Sequence, residues 1–115
     1  MSILGILKTI IEELGIPVET GEFSGDVPTA YVVLTPLADN YELFGDNKPQ
    51  AESQEARVSL FNFGNYIENK NKICEAIIEA DLMITNRLYA GFDKETGYHN
   101  YAIDVASIIT KEEIE

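Results

Sequence analysis

The sequence predicts an α+β domain: an antiparallel four- to five-stranded sheet with two helices packed on one face, in the order α-β-β-β-α-β-β. Three observations carry this expectation. Apolar residues recur at the helical period near the N-terminus and again after residue 65. Residues 56–63 alternate, with Ala56, Val58 and Leu60 on one side and Arg57, Ser59, Phe61 and Phe63 on the other. The remaining β-forming runs are bounded by glycine, proline, asparagine and aspartate.

Residues 2–14 predict the first helix. Ile3, Leu4, Ile6, Leu7, Ile10, Ile11 and Leu14 form its apolar face, and Lys8, Thr9, Glu12 and Glu13 its solvated one. Ser2 is its N-cap, and Gly15 with Pro17 stops it. Residues 18–28 read as a loop, with a short extended piece at 18–23. Thr29–Thr35 is rich in β-formers and ends at Pro36, which predicts a strand; Asp39–Phe44 predicts a second. Residues 45–55 offer only Ala51 to a core and read as a long, mobile hairpin loop. The alternating strand 56–63 ends at Gly64. Asn65 then caps a helix with Glu68 three residues on, and Ile67, Cys74, Ile77, Ile78 and Leu82 supply its stripe. A last hairpin runs through 84–89, a turn at 91–97, and 98–109, and the charged residues 111–115 fray.

The 115 residues are 45% hydrophobic and 24% charged, as expected of a single domain, 1–115, with its own core. The net charge of −12 repels phosphate, so nucleic-acid binding and anionic membranes are disfavoured. One cysteine, Cys74, allows no internal disulfide. The apolar N-terminal stretch is broken by charges and lacks a cleavage site, so it does not read as a signal peptide. No run approaches the ~20 apolar residues of a membrane span. These features lead to a soluble, cytoplasmic protein.

Catalytic patterns are missing from the sequence. It has no P-loop, G-x-G-x-x-G, C-x-x-C or H-E-x-x-H. His99 is the only histidine and Cys74 the only thiol. A His–Cys pair is formally available, but Cys74 on an apolar stripe reads as a core residue and His99 as a strand-edge or interface residue. Asp39, Glu42 and Asp46 lie close together, as do Asp93 and Glu95, without the spacing of a calcium loop. Among twenty acidic residues such clusters arise by chance and read as solvated surface. No cofactor or metal is expected.

The aromatic residues stand out. Ten of the eleven fall on predicted strands or their ends. Two helices cover one sheet face, which leaves Phe61 and Phe63 on the other. They mark either an interaction surface or a site covered by the 45–55 loop or the last hairpin.

Three segments give the chain a resemblance. They are Val27–Val33, with proline then tyrosine at a strand entry; Asp39–Asp46, leading through a polar loop into Ala56–Phe61; and Gly97–Asp104. With the N-terminal amphipathic helix, the chain resembles the small tail-terminator or tail-completion proteins that join head to tail at the neck of long-tailed bacteriophages and prophages. The resemblance implies a structural protein of the virion, made in the bacterial cytoplasm. It implies a homo-oligomeric, commonly six-fold ring that contacts the tail tube and head connector proteins, with DNA passing through unbound. It implies no enzyme activity. An acidic lining would let DNA slide, since each Lys or Arg contact to phosphate adds affinity.

The residues singled out for subunit or partner contact follow from both readings. They are Tyr41, Phe44, Asp46, Lys48 and Glu52 in and beside the 45–55 loop, and Arg57, Phe61 and Phe63 on the next strand. Tyr98 and His99 in the last hairpin complete the set. The loop is expected to order against a neighbour. The competing expectation is an acidic module that mimics DNA and occupies a host enzyme; the spread of acids along the whole chain weighs against it.

Overall fold

A computed structural model of the chain describes residues 2–24, 28–45 and 48–110. The elements are α1 (Ile3–Glu13), β1 (Val18–Thr20), β2 (Ala30–Gly45), β3 (Lys48–Phe63), α2 (Ile67–Glu79), β4 (Met83–Phe92) and β5 (Tyr98–Thr110). The strands form one five-stranded sheet in the order β1-β2-β3-β5-β4. The class is α+β, as expected.

The sheet is mixed, however, where a purely antiparallel one was expected. β1 runs parallel to β2, with Val18 opposite Val32 and Thr20 opposite Leu34. The cause lies at the end of α1. Gly15, at φ +81°, turns the chain so that Ile16 and Val18 enter the core, both 6% exposed. The chain must then cross over to reach β2, so β1 and β2 point the same way. Three residues, Val-Glu-Thr, are too few to show alternation.

The strand order also departs from the expectation. The runs expected separately at 29–35 and 39–44 are one 16-residue strand, β2, with a register shift between Pro36 and Ala38. Pro36 lacks an N–H and would interrupt a fully paired central strand. Here β1 covers only Val32, Val33 and Leu34, so Pro36 lies past the last residue that pairs on that side. The expected loop 45–55 is overturned as well: Lys48–Glu55 belong to β3. Its polar residues need no core, because β5 pairs along the other side, with Glu52 opposite Ile109 and Gln54 opposite Ser107. Asp46 and the tail 111–115 lie outside the described residues.

The helices cover one face. Register places Ala56, Val58, Leu60 and Asn62 of β3 on that face, with Val32 and Leu34 of β2 and Ile103 and Val105 of β5. Leu7 and Ile11 of α1 and Ile73 and Ile77 of α2 close over them without solvent exposure. The stripe of α2 is corrected in part. Ile73, Cys74 and Ile77 are buried, while Ile67 and Ile78 are 48% and 61% exposed. At 3.6 residues per turn both sit off to one side of the 73/77 line.

Caps fix both helices to the sheet. Ser2 Oγ accepts from the Gly5 N–H at 3.3 Å, and Gln54 Oε1 on β3 accepts from the Ile3 N–H at 2.8 Å. The cap position of α2 is Tyr66, not Asn65. Asn65 Oδ1 still accepts from the Ile67 N–H at 3.0 Å. Asn62, 4% exposed, is the buried polar residue of this region. Its Nδ2 donates to the Phe63 and Asn65 carbonyls at 3.0 and 3.3 Å, and its Oδ1 accepts from Asn69 Nδ2 at 2.7 Å.

The molecule is long, 55 × 25 × 24 Å. A 16-residue strand reaches ~53 Å at ~3.3 Å per residue, so β2 and β3 set this length. Past Ala51, opposite Thr110, the ribbon among the described residues consists of β2 and β3.

Candidate interaction surface

The face away from the helices carries the odd-numbered residues of β3 and the even-numbered ones of β5. At one end of it, aromatic rings meet. Tyr31 of β2 stacks on Phe61 with centroids 4.9 Å apart and planes at 12°. Tyr98 meets Tyr31 edge-on at 5.7 Å and Phe63 at 6.0 Å. Phe23, from the crossover after β1, lies 4.7 Å from Tyr31. Phe23 thus covers one flank of the cluster. Phe61 is half-buried and Phe63 is 57% exposed. Tyr98 is held in place by donating its hydroxyl to the Pro28 carbonyl at 2.5 Å. Burial raises the Tyr31 hydroxyl above its ordinary range, with a smaller push from Tyr98.

A groove of about 520 Å³ opens beside these rings and runs to the β4–β5 turn. Its walls are Tyr31, Phe61, Tyr98, Asn100, Gly91 and Phe92, with Asp93 and Thr96 at the turn. Asn100 lines it, but its Oδ1 is closed off from solvent and has no hydrogen-bond partner. Asp93 Oδ1 accepts from the Glu95 N–H at 2.9 Å, which shapes the turn.

The middle of the face is ionic. Arg57 Nε and Nη2 donate to Asp104 Oδ1 and Oδ2 at 2.7 and 3.0 Å across β3 and β5. This fork holds the Asp104 carboxyl below the usual carboxylate range and raises Arg57; Asn86 adds a weaker hydrogen bond to Asp104.

The ten residues singled out from the sequence do not form one site. Phe61, Phe63 and Tyr98 meet at the aromatic end. Arg57 lies between the ends, tied to Asp104. Tyr41, 60% exposed, faces Glu52 across β2 and β3 on the helix side. That pair lies ~30 Å along β3 from Phe61, nine residues at ~3.3 Å. Phe44 and Lys48 are placed by backbone pairing, with Pro49 and Gly45. Asp46 is not among the described residues.

His99 faces the helix side, opposite Asn62. Its Nδ1 is hydrogen-bonded to Tyr89 Oη at 2.8 Å, and its ring lies 4.7 Å from Phe92 and 5.5 Å from Tyr66. Cys74 is buried on α2, as expected for a core residue. Among the described residues no group of three His, Cys, Asp or Glu is placed to hold a metal ion.

Sequence reasoning did not single out Asn62, Asn100 or Phe23. Asn62 continues the 56/58/60 alternation onto the covered face, which is the signal that could have found it, while Asn100 sits at a position that the β3–β5 pairing reveals. Among the described residues, no helix is long and apolar enough to cross a membrane. No protein-family model matches the chain, and no curated protein matches it.

Proposed function

We propose that this chain is a structural, self-assembling protein, one subunit of a ring at the neck of a bacteriophage or prophage tail, where it caps the tail tube and joins it to the head. The observation that carries this reading is the open state of the sheet at both borders among the described residues. β4 ends the sheet on one side, and on the other β1 pairs with only three residues of the 16-residue β2. Unpaired strand borders invite another strand. Two different borders on opposite sides favour a head-to-tail contact, which closes into a ring when the rotation fits.

The exposed aromatic end, with Phe63 57% exposed, adds a surface fit for a partner. The −12 charge suits a conduit through which DNA slides without binding. Resemblance to tail-terminator proteins supplies the neck and the six-fold expectation. Nothing in this reading calls for catalysis.

Light scattering on the purified protein over a concentration series, alone and with tail tubes, tests it. A closed oligomer of fixed size, or a ring on tube ends in electron micrographs, is the expected result. A protein that stays monomeric at high concentration and leaves tube ends bare overturns the ring. A monomer that inhibits a DNA-binding host enzyme would favour the acidic mimic instead.

A further inference from the structure

We infer that residues 86–89 of β4 add to residues 38–42 of β2 in a second copy, antiparallel, with Arg87 opposite Asp39. This rests on the reading of the chain as a self-assembling subunit and names the joint between copies. Both borders are interrupted. β4 shifts register between Ile84 and Asn86 and again between Tyr89 and Gly91, and β2 between Pro36 and Ala38. Such shifts, and a proline, blunt a strand border against pairing. The longest regular run left on β4 is 86–89, and on β2 past the cover of β1 it is 38–42.

The backbone polar groups of these two runs match. The Phe63 N–H donates to the Thr29 carbonyl, so the odd residues of β3 hydrogen-bond to β2 and the even ones to β5. Ala38 and Asn40, opposite Glu55 and Ser53, therefore turn their backbone groups to β3, and Asp39 turns its own outward. The Asp93 N–H donates to the Tyr98 carbonyl, so the even residues of β5 bond to β4. Asn86 and Leu88, opposite Asp104 and Ala102, are occupied in the same way, and Arg87 turns its N–H and C=O outward. Set opposite each other, Arg87 and Asp39 exchange two hydrogen bonds. The flanking pairs are then Leu88 with Ala38 and Asn86 with Asn40.

The side chains agree with this register. Arg87, opposite Ile103, and Asp39, opposite Gln54, both lie on the helix side, so cation meets carboxylate when the helix layers of two copies continue. Arg87 is the one charged residue of β4, and neither it nor Asp39 makes an ion pair among the described residues. A second β4 would offer Arg87 no acid. On the open face Leu88, 39% exposed, meets Ala38. The joint also displaces each copy along the strands. Arg87 is level with Val58 through Ile103, and Asp39 with Gln54, a step of four residues or ~13 Å. Over four strands ~4.8 Å apart this is an inclination of roughly 35°, which strands of a closed sheet adopt.

The test is disulfide capture in the full chain carrying Cys74→Ala, Ala38→Cys and Leu88→Cys. Opposite residues that exchange no hydrogen bonds have Cα atoms ~4.5 Å apart in an antiparallel ladder, within disulfide reach. Mild oxidation is expected to give a ladder of linked copies on a denaturing gel. Leu88→Cys alone, and Leu88→Cys with Tyr41→Cys, should give none. Charge reversal is the second arm. Arg87→Asp and Asp39→Arg should each raise the concentration for half-assembly, seen by light scattering, about fivefold, and the two together should restore it to within about twofold.

A fixed oligomer that gives no ladder, or that single reversals leave unchanged, overturns this joint and leaves the ring standing. So does a double reversal as weak as the single ones. Dimers linked through Leu88→Cys alone would set β4 against β4 and overturn the joint too. Copies that stay unlinked and monomeric, alone and with tail tubes, overturn both the joint and the ring.

Discussion

Replacing Asn62 by alanine should detach the start of α2 from the end of β3. The side chain is 4% exposed and makes three hydrogen bonds. Two satisfy the Phe63 and Asn65 carbonyls where the chain turns, and the third binds Asn69 on the first turns of α2. A net value of ~1 kcal/mol per bond, with partners left unpaired in a buried place, gives a loss of about 2–3 kcal/mol. For a domain of this length that lowers the Tm by about 10 °C. Urea unfolding followed by circular dichroism measures it, the midpoint falling by about 1–2 M at unchanged slope.

Two companions separate the bonds from the lost volume. Asn62→Leu refills the space without a polar atom and should lose about as much as alanine. Asn69→Ala should lose about 1 kcal/mol, and the double variant should show coupling of similar size. A loss under about 0.5 kcal/mol for Asn62→Ala, or strict additivity with Asn69→Ala, would refute the role of Asn62 as the tie between β3 and α2.

Three further outcomes are expected. Asp104 is held below its unfolded pKa, chiefly by the Arg57 hydrogen bonds, so its stabilisation is present above pH ~4 and fades as pH falls through the folded value. Asp104→Asn should therefore lose about 0.5–1 kcal/mol at neutral pH, since Arg57 is 39% exposed, and should flatten the acid limb of a stability–pH curve. Gly97→Ala should cost about 1–2 kcal/mol in a thermal melt, because φ is +80° there and the new Cβ would lie 2.5 Å from Phe63 Cε2. Adding Phe63→Ala relieves the clash and leaves the backbone cost, so only part of the loss returns. Phe63→Ser alone should change folding stability by less than about 1 kcal/mol, as the ring is 57% exposed, yet weaken assembly seen by light scattering; a loss above about 2 kcal/mol would mean the ring belongs to the core.

The helices and the two-faced strand 56–63 were legible because periodicity is a local property. Ile3, Leu7 and Ile11 repeat at four, and Ala56, Val58 and Leu60 at two, before any partner is known. β1 was legible as the short extended piece expected at 18–23, but its parallel pairing was not, because three residues carry no period and their pairing is set by the turn at Gly15. The 45–55 segment misled for a different reason. Polar composition says that a segment is not in a core, but a strand beyond the helices needs none. Ile67 and Ile78 misled because a stripe read by apolar identity is wider than the line α2 presents to the sheet.

The site was legible as an aromatic tendency and not as a place. Phe61, Phe63 and Tyr98 converge as expected of neighbouring strands. Tyr41 and Arg57 lie elsewhere because register, not sequence proximity, decides who meets. Asn100 became visible only when the pairing set it beside Phe61.

The way β5 ends has a mechanical consequence. Thr110 sits against Ala51, so the last turnings of that strand are the third rail of the ribbon beyond the helices. A two-stranded ribbon alone is barely stable in water, whereas a third strand gives it a chance to hold. Whatever is fused to, cut from or bound near the C-terminal end of β5 is therefore felt at Ala51 in β3, a part of the chain 59 residues earlier in sequence.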